Sequence, residues 1–516
     1  MFHSTACHHK RFGPDAQNFL GFEAITAFRY HGRVMTKLTK TRFAPSPTGE
    51  LHLGNVRTAL FNWLYAGSQQ GVFILRIEDT DVDRSEKRHE QALIADLHWL
   101  DVHWQEGPGC DGDNGPYHQS ARQDIYQRHY QHLQDKDLMY PCFCSPQQLS
   151  LSRKAQLASG RPPRYAGTCA GLSKEEIDTK LQNGEQPAWR FRVPTGGDVQ
   201  FDDRVRGAQK FNCADIGDFI IRRSNGGAAF FFCNAVDDAL MGVTHVLRGE
   251  DHLSNTPRQM MILQALELPV PQYGHTAMIV DDKGAPLSKR SGSRSIRSLR
   301  ESGYFSAAVV NYMARLGHQY SSNDFLSSEA LQNGFSLGSL GRAPARFDPV
   351  QLDHWQKLAL EQADTDTLWQ WCSEYPDDQQ RSISQRVPDT QRHDFINAVR
   401  DNCLFPADVS HWVQVVYDEL PPFNEDAAEV IAAAGSEFYQ AALNILSPEE
   451  SEPVPTDFRA FAGAVGKAAG VKGKQLFMPL RAAISGQTSG PEMARLWPLL
   501  GTARIVARLQ HALKQQ

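Results

Sequence analysis

No apolar run in this 516-residue chain approaches the ~18–20 residues that cross a membrane; even Phe230-Phe231-Phe232 is closed off by Asn234, Asp237 and Asp238. A membrane-spanning enzyme is thereby excluded. Also lacking are a secretory apolar segment near the N-terminus and any cysteine framework. The nine cysteines lie scattered, which points to a reducing, cytoplasmic setting with thiols free or holding metal. A basic surplus is missing too: 53 basic residues against 59 acidic give −6, which taken alone argues against a polyanionic partner. What is present is an ordinary globular composition, 41% apolar and 22% charged. At roughly 100–200 residues per domain it predicts three or four domains.

The charge is unevenly placed. From Arg459 onward nine basic residues face a single acid, Glu492, so this end carries +8 and residues 1–458 carry −14. A basic terminal module on an acidic body is the electrostatic footprint of a phosphate-backbone contact.

Residues 1–36 read as a disordered leader or an over-extended start, with Met35 as the expected initiator. From Thr41 the pattern is α/β. A helix is predicted over Gly54–Gln70, a buried strand over Val72–Ile77, and a second helix after Ser85 as N-cap. Strand, helix, strand in that order implies a parallel sheet. Between Pro116 and Asn225 the alternation lapses into turns, short strands and cysteines, which reads as an insertion. The α/β signal resumes with a strand over Val243–Arg248, a helix from Ser254 to Leu266 and a strand over His275–Val280. After Phe347 strands disappear. An acidic stretch (Glu449, Glu450, Glu452, with Pro453 and Pro455) is expected to separate a helical region from the basic module. The expected divisions are 1–36, 37–115 (first catalytic half), 116–225 (insert), 226–292 (second half), 293–346 (stem-contact region) and 347–516 (helical).

Two constellations carry chemistry. Arg42-Phe43-Ala44-Pro45-Ser46-Pro47-Thr48-Gly49 with His52-Leu53-Gly54-Asn55 lies between a strand and a helix, where it can present a His and a helix N-terminus to phosphates while Gly54 admits a flat base. Leu287-Ser288-Lys289-Arg290-Ser291-Gly292 forms a cationic loop able to neutralise a departing pyrophosphate. Within the insert, Cys142, Cys144 and Cys169 suit a structural zinc, which wants four ligands, or else are three buried free thiols.

Together with Arg76-Ile77-Glu78-Asp79-Thr80-Asp81, Val236-Asp237-Asp238, Val246-Leu247-Arg248-Gly249-Glu250-Asp251 and Phe477-Met478-Pro479-Leu480-Arg481, these segments resemble the bacterial glutamyl-tRNA synthetases of class I over about residues 40–512. The resemblance implies a Rossmann-like parallel-sheet catalytic domain split by an α+β insert and followed by an all-α anticodon-binding region. It implies glutamyl-adenylate formation from L-glutamate and ATP with Mg2+, then transfer to tRNA(Glu), with tRNA(Gln) a second candidate, by a monomer. A glutamate substrate brings two carboxylates and one ammonium. Arg42 and Arg248 are the expected carboxylate forks and Glu78 the ammonium partner, although an interior salt bridge is the other reading of Arg42 and Glu78. By resemblance Ala44, Ser46, Phe230 and Asn234 line the same pocket. His52, Gly54, Asn55, Ser288, Lys289 and Arg290 bind ATP, with His52 and Lys289 catalytic.

Three departures stand out. Phe230 replaces a frequent Tyr, Pro286 replaces the first Lys of the cationic loop, and Gly171 replaces a His that completes some zinc sites. Resemblance to the shorter glutamyl-Q synthetases makes Tyr165 the fourth candidate ligand. A glutamyl-Q synthetase and a non-catalytic tRNA-binding paralogue are the alternative functions, the first disfavoured by the long chain that follows the cationic loop.

Overall fold

Short runs of β-branched and aromatic residues behind Gly71 and Gly242 build two parallel ladders, and each is closed by a helix that crosses from one strand to the next. In the computed structural model the described residues are 38–80, 86–110, 112–160, 162–287, 295–447 and 454–516. The expected leader 1–36, the cap Ser85, the loop residues Ser288, Lys289 and Arg290, and Glu449, Glu450 and Glu452 lie outside them. Among the described residues no helix is long and apolar enough to cross a membrane.

Strand β1 (Lys40–Phe43), helix α1 (Leu53–Ser68) and strand β2 (Val72–Leu75) form the first unit, with Arg42 opposite Ile74. Helix α1 places Val56, Ala59, Leu60 and Trp63 on its buried face, as the periodicity requires. Strand β2 ends at Leu75 rather than Ile77: Leu75 N donates to Glu106 O, whereas Ile77 pairs with His118, so the backbone changes partner there. Helix α2 (Lys87–Trp99) follows, with Glu86 at its N-cap position.

The insert begins after α3 (Gln123–Asp135). It contains β3 (Met139–Cys142), α4 (Pro146–Ala158), α5 (Lys174–Gln182), β4 (Ala188–Phe191), the hairpin β5 (Asp198–Asp203) and β6 (Gly207–Asn212), α6 (Cys213–Ile216) and β7 (Phe219–Arg222). Strands β3, β4 and β7 form an antiparallel sheet. Ser145 with Gln148, and Ser173 with Glu176, make capping boxes that start α4 and α5.

The second unit runs α7 (Phe230–Leu240), β8 (His245–Gly249), α8 (Thr256–Ala265) and β9 (Gln272–Thr276), and β8 pairs parallel with β9 so that Arg248 stands opposite His275. The two ladders abut where Thr244 N donates to Lys40 O. That bond, together with the one from Lys40 N to Thr244 Oγ1, delays the strand predicted from Val243. The helix predicted from Ser254 starts two residues later, after a tight turn over Glu250–Asn255, with Pro257 in its first turn. The single strand predicted over His275–Val280 is two. Met278 N donates to Glu250 Oε1 and Ala277 O accepts from Arg57, so side chains occupy the backbone between β9 and β10 (Ile279–Val280). Helices α9 (Ile296–Glu301) and α10 (Ser306–Arg315) precede β11 (Ala345–Arg346), which pairs with β10.

Beyond β11 the regular elements are helical. One core joins Val413 and Val416, Tyr439, Phe461, Leu480, Leu496 and Leu509. The basic end is therefore not the separate module that the acidic stretch suggested. Its helices, including Lys474–Ser485 and Met493–Lys514, complete the same core as Pro406–Tyr417 and Ser436–Leu446.

Candidate active site

At the carboxyl ends of β1 and β8 lies a cleft of about 770 Å3. Its lining includes each described residue expected to bind glutamate (Arg42, Ala44, Ser46, Glu78, Phe230, Asn234, Arg248) and the nucleotide candidates His52, Gly54 and Asn55. Open parallel sheets bind ligands at this edge, because the strands deliver side chains there and helix N-termini face it. Ser288, Lys289 and Arg290 are outside the described residues. Leu287, which precedes them, also lines the cleft, and Ser295, which follows them, bridges His52.

The floor is a dense ionic lattice. Arg42 donates from Nε to Asp238 Oδ1 at 3.1 Å and from Nη2 to Oδ2 at 3.3 Å. Arg76, fully buried, bridges Asp238 Oδ1 at 2.7 Å and Glu78 Oε1 at 3.2 Å. Burial opposes the charge on Arg76, but Asp238 and Glu78 outweigh it and hold the guanidinium firmly protonated. Burial raises the Glu78 carboxyl, and Arg76 and the hydrogen bond from Asn234 work against that rise. Asn234 Nδ2 donates to Glu78 Oε1 at 2.5 Å while its Oδ1 accepts from Gln259 at 2.8 Å, which fixes the amide orientation. The interior salt bridges considered for Arg42 and Glu78 thus exist alongside their exposure to the cleft.

Arg248 is different. Burial lowers its pKa to about 10, so it stays charged at neutral pH, yet its described hydrogen-bond partners are neutral: His275 Nε2 at 3.1 Å and Thr256 Oγ1 at 2.8 Å. Its Nη1 is buried with no protein partner among the described residues. At the floor of the cleft the guanidinium groups of Arg42, Arg76 and Arg248 face the carboxylates of Glu78 and Asp238, while Arg57 and Asp251 in the lining add one formal charge of each sign. A neighbouring carboxylate, Asp237, is already matched by Arg122 at 2.7 Å. The lattice therefore carries one surplus positive charge, which a ligand of net charge −1 balances.

His52 is the N-cap residue of α1 with extended backbone, and α1 opens onto the cleft with Gly54 and Asn55 exposed. A Cβ on Gly54 would meet nothing within 4 Å, so the fold does not require glycine there. Sequence reasoning missed Arg57, His252 and Asn255 in the lining. It also missed Gln259, Asp203 and His275 behind it. Only His252 had a local signal, its place directly after Arg248-Gly249-Glu250-Asp251. The Phe230 ring lies 5.6 Å, centre to centre, from that of His252.

In the insert, the Sγ atoms of Cys142, Cys144 and Cys169 lie within 4.8 Å of one another, with Cys144 and Cys169 3.6 Å apart. The Tyr165 hydroxyl is 3.4 Å from Cys142 Sγ and 3.6 Å from Cys144 Sγ. Zinc–sulfur bonds of about 2.3 Å give tetrahedral edges of roughly 3.8 Å, so these four atoms suit one ion.

Residues 39–354 match the family described as "tRNA synthetases class I (E and Q), catalytic domain", and residues 356–513 match "Anticodon binding domain". Glutamate–tRNA ligase 2 of Nitrosococcus oceani is 53% identical over 476 residues, 92% of this chain and 98% of that protein. Glutamate–tRNA ligase 2 of Coxiella burnetii is 50% identical over 475 residues, 92% of this chain and 100% of that protein. The crystal structure of a glutamate tRNA ligase from Elizabethkingia meningosepticum in complex with its amino acid superposes with a TM-score of 0.83 at 26% identity, covering 93% of this chain and 99% of that one.

Proposed function

The chain belongs to the class I glutamate–tRNA ligases, and from that premise we propose how its own residues divide the ligation of L-glutamate to the 3′ end of tRNA(Glu). Glutamate has net charge −1, the charge that the lattice around the cleft lacks, and this balance is the observation that carries the assignment. Arg248 Nη1 takes one substrate carboxylate and the Arg42 guanidinium faces the other. Asn234 and Arg76 both act on Oε1 of Glu78, so Oε2 is assigned to the ammonium. Ala44 and Ser46 form the wall beside it.

ATP enters with Mg2+ over His52 and the α1 N-terminus, where the first-turn N–H groups and the helix dipole favour phosphate. Gly54 leaves room for the base. The α-carboxylate attacks the α-phosphate and pyrophosphate leaves, its charge assigned to Ser288, Lys289 and Arg290 of the cationic loop; the terminal ribose hydroxyl of tRNA then attacks the mixed anhydride and AMP leaves. Little covalent work falls to the protein, so positioning and charge stabilisation carry the rate. Cys142, Cys144, Tyr165 and Cys169 are assigned to a zinc ion that crosslinks the insert. ATP and tRNA as substrates support a cytoplasmic setting.

The intact ionic lattice disfavours a non-catalytic paralogue despite Phe230 and Pro286. The anticodon-domain match disfavours a glutamyl-Q synthetase. Because each fork makes a charge-assisted pair worth roughly 1.5–3 kcal/mol, Arg42→Ala or Arg248→Ala should raise the glutamate KM of aminoacylation at least tenfold. Normal glutamate binding by both variants would overturn the assignment. Charging of tRNA(Glu) and tRNA(Gln) side by side tests which tRNA is served.

A further inference from the structure

A chain of buried side chains stands behind Arg248, and the binding scheme above does not use it. Asp203 Oδ2 lies 2.5 Å from His275 Nδ1. The other carboxylate oxygen, Oδ1, accepts from Val205 N at 2.9 Å, Arg206 N at 2.8 Å and His275 N at 3.1 Å, so the Asp203 carboxylate is fixed by its own turn and by β9. On the far side of the ring, His275 Nε2 accepts from Arg248 Nε and lies 3.2 Å from Thr256 Oγ1, which itself accepts from Arg248 Nη2. Asp203, His275, Thr256 and Arg248 are all buried.

The chemistry allows one protonation pattern. A carboxylate only accepts and a guanidinium only donates, so the ring must carry its proton on Nδ1 and a lone pair on Nε2. Both ends select the same tautomer. With Nε and Nη2 of Arg248 held in this way, the guanidinium has one orientation, and Nη1 is the nitrogen left without a hydrogen-bond partner among the described residues.

We propose that Asp203 and His275 are positioning residues of the ligase, an Asp–His relay that locks the Arg248 guanidinium with Nη1 turned to a carboxylate of the glutamate substrate. This rests on the reading of Arg248 as a carboxylate fork. Asp203 closes β5 of the insert while His275 lies on β9, so the relay also ties the root of the insert to the amino-acid site. Sequence spacing gives no sign of it.

Glutamate and ATP KM values in tRNA aminoacylation by the full-length enzyme test the relay, alongside thermal melting of each variant. Asp203→Asn puts an amide donor against Nδ1 and drives the proton to Nε2, against Arg248. It should raise the glutamate KM roughly five- to thirtyfold and leave the ATP KM within about twofold. His275→Gln can still present an acceptor to Arg248, whereas His275→Asn keeps only a partner for Asp203, so Gln should hold the glutamate KM closer to the unaltered value. The double variant Asp203→Asn/Arg248→Ala should bind glutamate no worse than Arg248→Ala, since both remove one interaction.

If Arg248→Ala leaves the glutamate KM unchanged, the fork reading fails, and the relay with it. If Arg248→Ala raises it but Asp203→Asn and His275→Asn do not, the relay alone is overturned. Lower melting temperatures with both KM values unchanged would show that the pair only fills the core. Should Asp203→Asn fail to fold, the ranking of the two His275 variants decides, and equal KM values for them would refute the relay.

Discussion

At the scale of single residues, Gly54 separates a demand of the fold from a demand of the ligand. An exposed glycine inside the first turn of a helix costs up to about 1 kcal/mol relative to alanine, and the space over its Cα is open. Gly54→Ala should therefore leave the melting temperature equal or higher while raising the ATP KM several-fold, as the new methyl group meets the base. Denaturation and kinetics on one preparation would check this, and an unchanged ATP KM would move the nucleotide elsewhere. Asp96 gives a pH signature. Burial in α2 raises its carboxyl to about 6, against a smaller opposite pull from Arg300. A folded pKa above the unfolded value near 4 means that ionisation is penalised in the folded state. The cost is absent below about pH 4, grows as pH rises through 6 and is complete above it. Asp96→Asn should accordingly be more stable than the unaltered enzyme at pH 7.5, by on the order of 1–2 kcal/mol, with no advantage at pH 4. Urea titrations across that range would show it. Arg42, Glu78, Asn234 and Arg248 were legible in the sequence because each sits in a short motif. Asp203, His275 and Gln259 were not, because their partners arrive from distant segments and a one-dimensional pattern carries no such pairing.

Among the elements, the cysteine lobe depends most on something outside its own chain. Neither α4 nor α5 has a fully buried residue. Among the described residues the buried cluster here is Tyr140, Cys142 and Cys169. A lobe with so little core gains its rigidity from crosslinks. The Arg190 guanidinium stacks 3.6 Å from the centre of the Tyr165 ring and holds its hydroxyl beside the thiols. Purified enzyme should contain about one zinc per chain. Cys144→Ser, or removal of metal by a chelator, should increase amide exchange across residues 142–182 while leaving the glutamate and ATP KM values within about twofold. Metal analysis that finds none would leave three free thiols, two of them buried. Helices with a clear apolar period, such as α1, could be read from sequence to within two residues. Strand ends could not. Lys40, Arg57 and Glu250 decide where β8 begins and β9 stops by taking backbone groups, and hydrophobic pattern is blind to that competition.

For the whole molecule, the asymmetry of charge seen in the sequence survives, but its bearer changes. Arg508 counted toward the basic end, yet it is fully buried and donates to Val416 O, Asp418 O, Glu419 O and Ile484 O, closing the C-terminal ends of two helices. Arg495 lies near Asp401 and Glu492. The outward charge rests instead on residues such as Lys472 and Lys474, which are exposed and lie five and three residues before Phe477, an aromatic ring 49% exposed. Cations beside an exposed ring suit a single-stranded loop, whose phosphates and unstacked bases they meet together. Truncation after Pro455 cannot test this, since it would remove Phe461, Leu480 and Leu509 from a core shared with Val413 and Tyr439. Substitution at exposed positions can. Lys472→Glu with Lys474→Glu should weaken tRNA binding and reduce the slope of log affinity against log salt by roughly 1.4–1.8, the value for two lost phosphate contacts. The glutamate and ATP sites lie in the split sheet, so their KM values should hold. An unchanged slope would mean that these lysines form a solvated face, and the tRNA contact would then have to lie on the helices between Pro349 and Leu446.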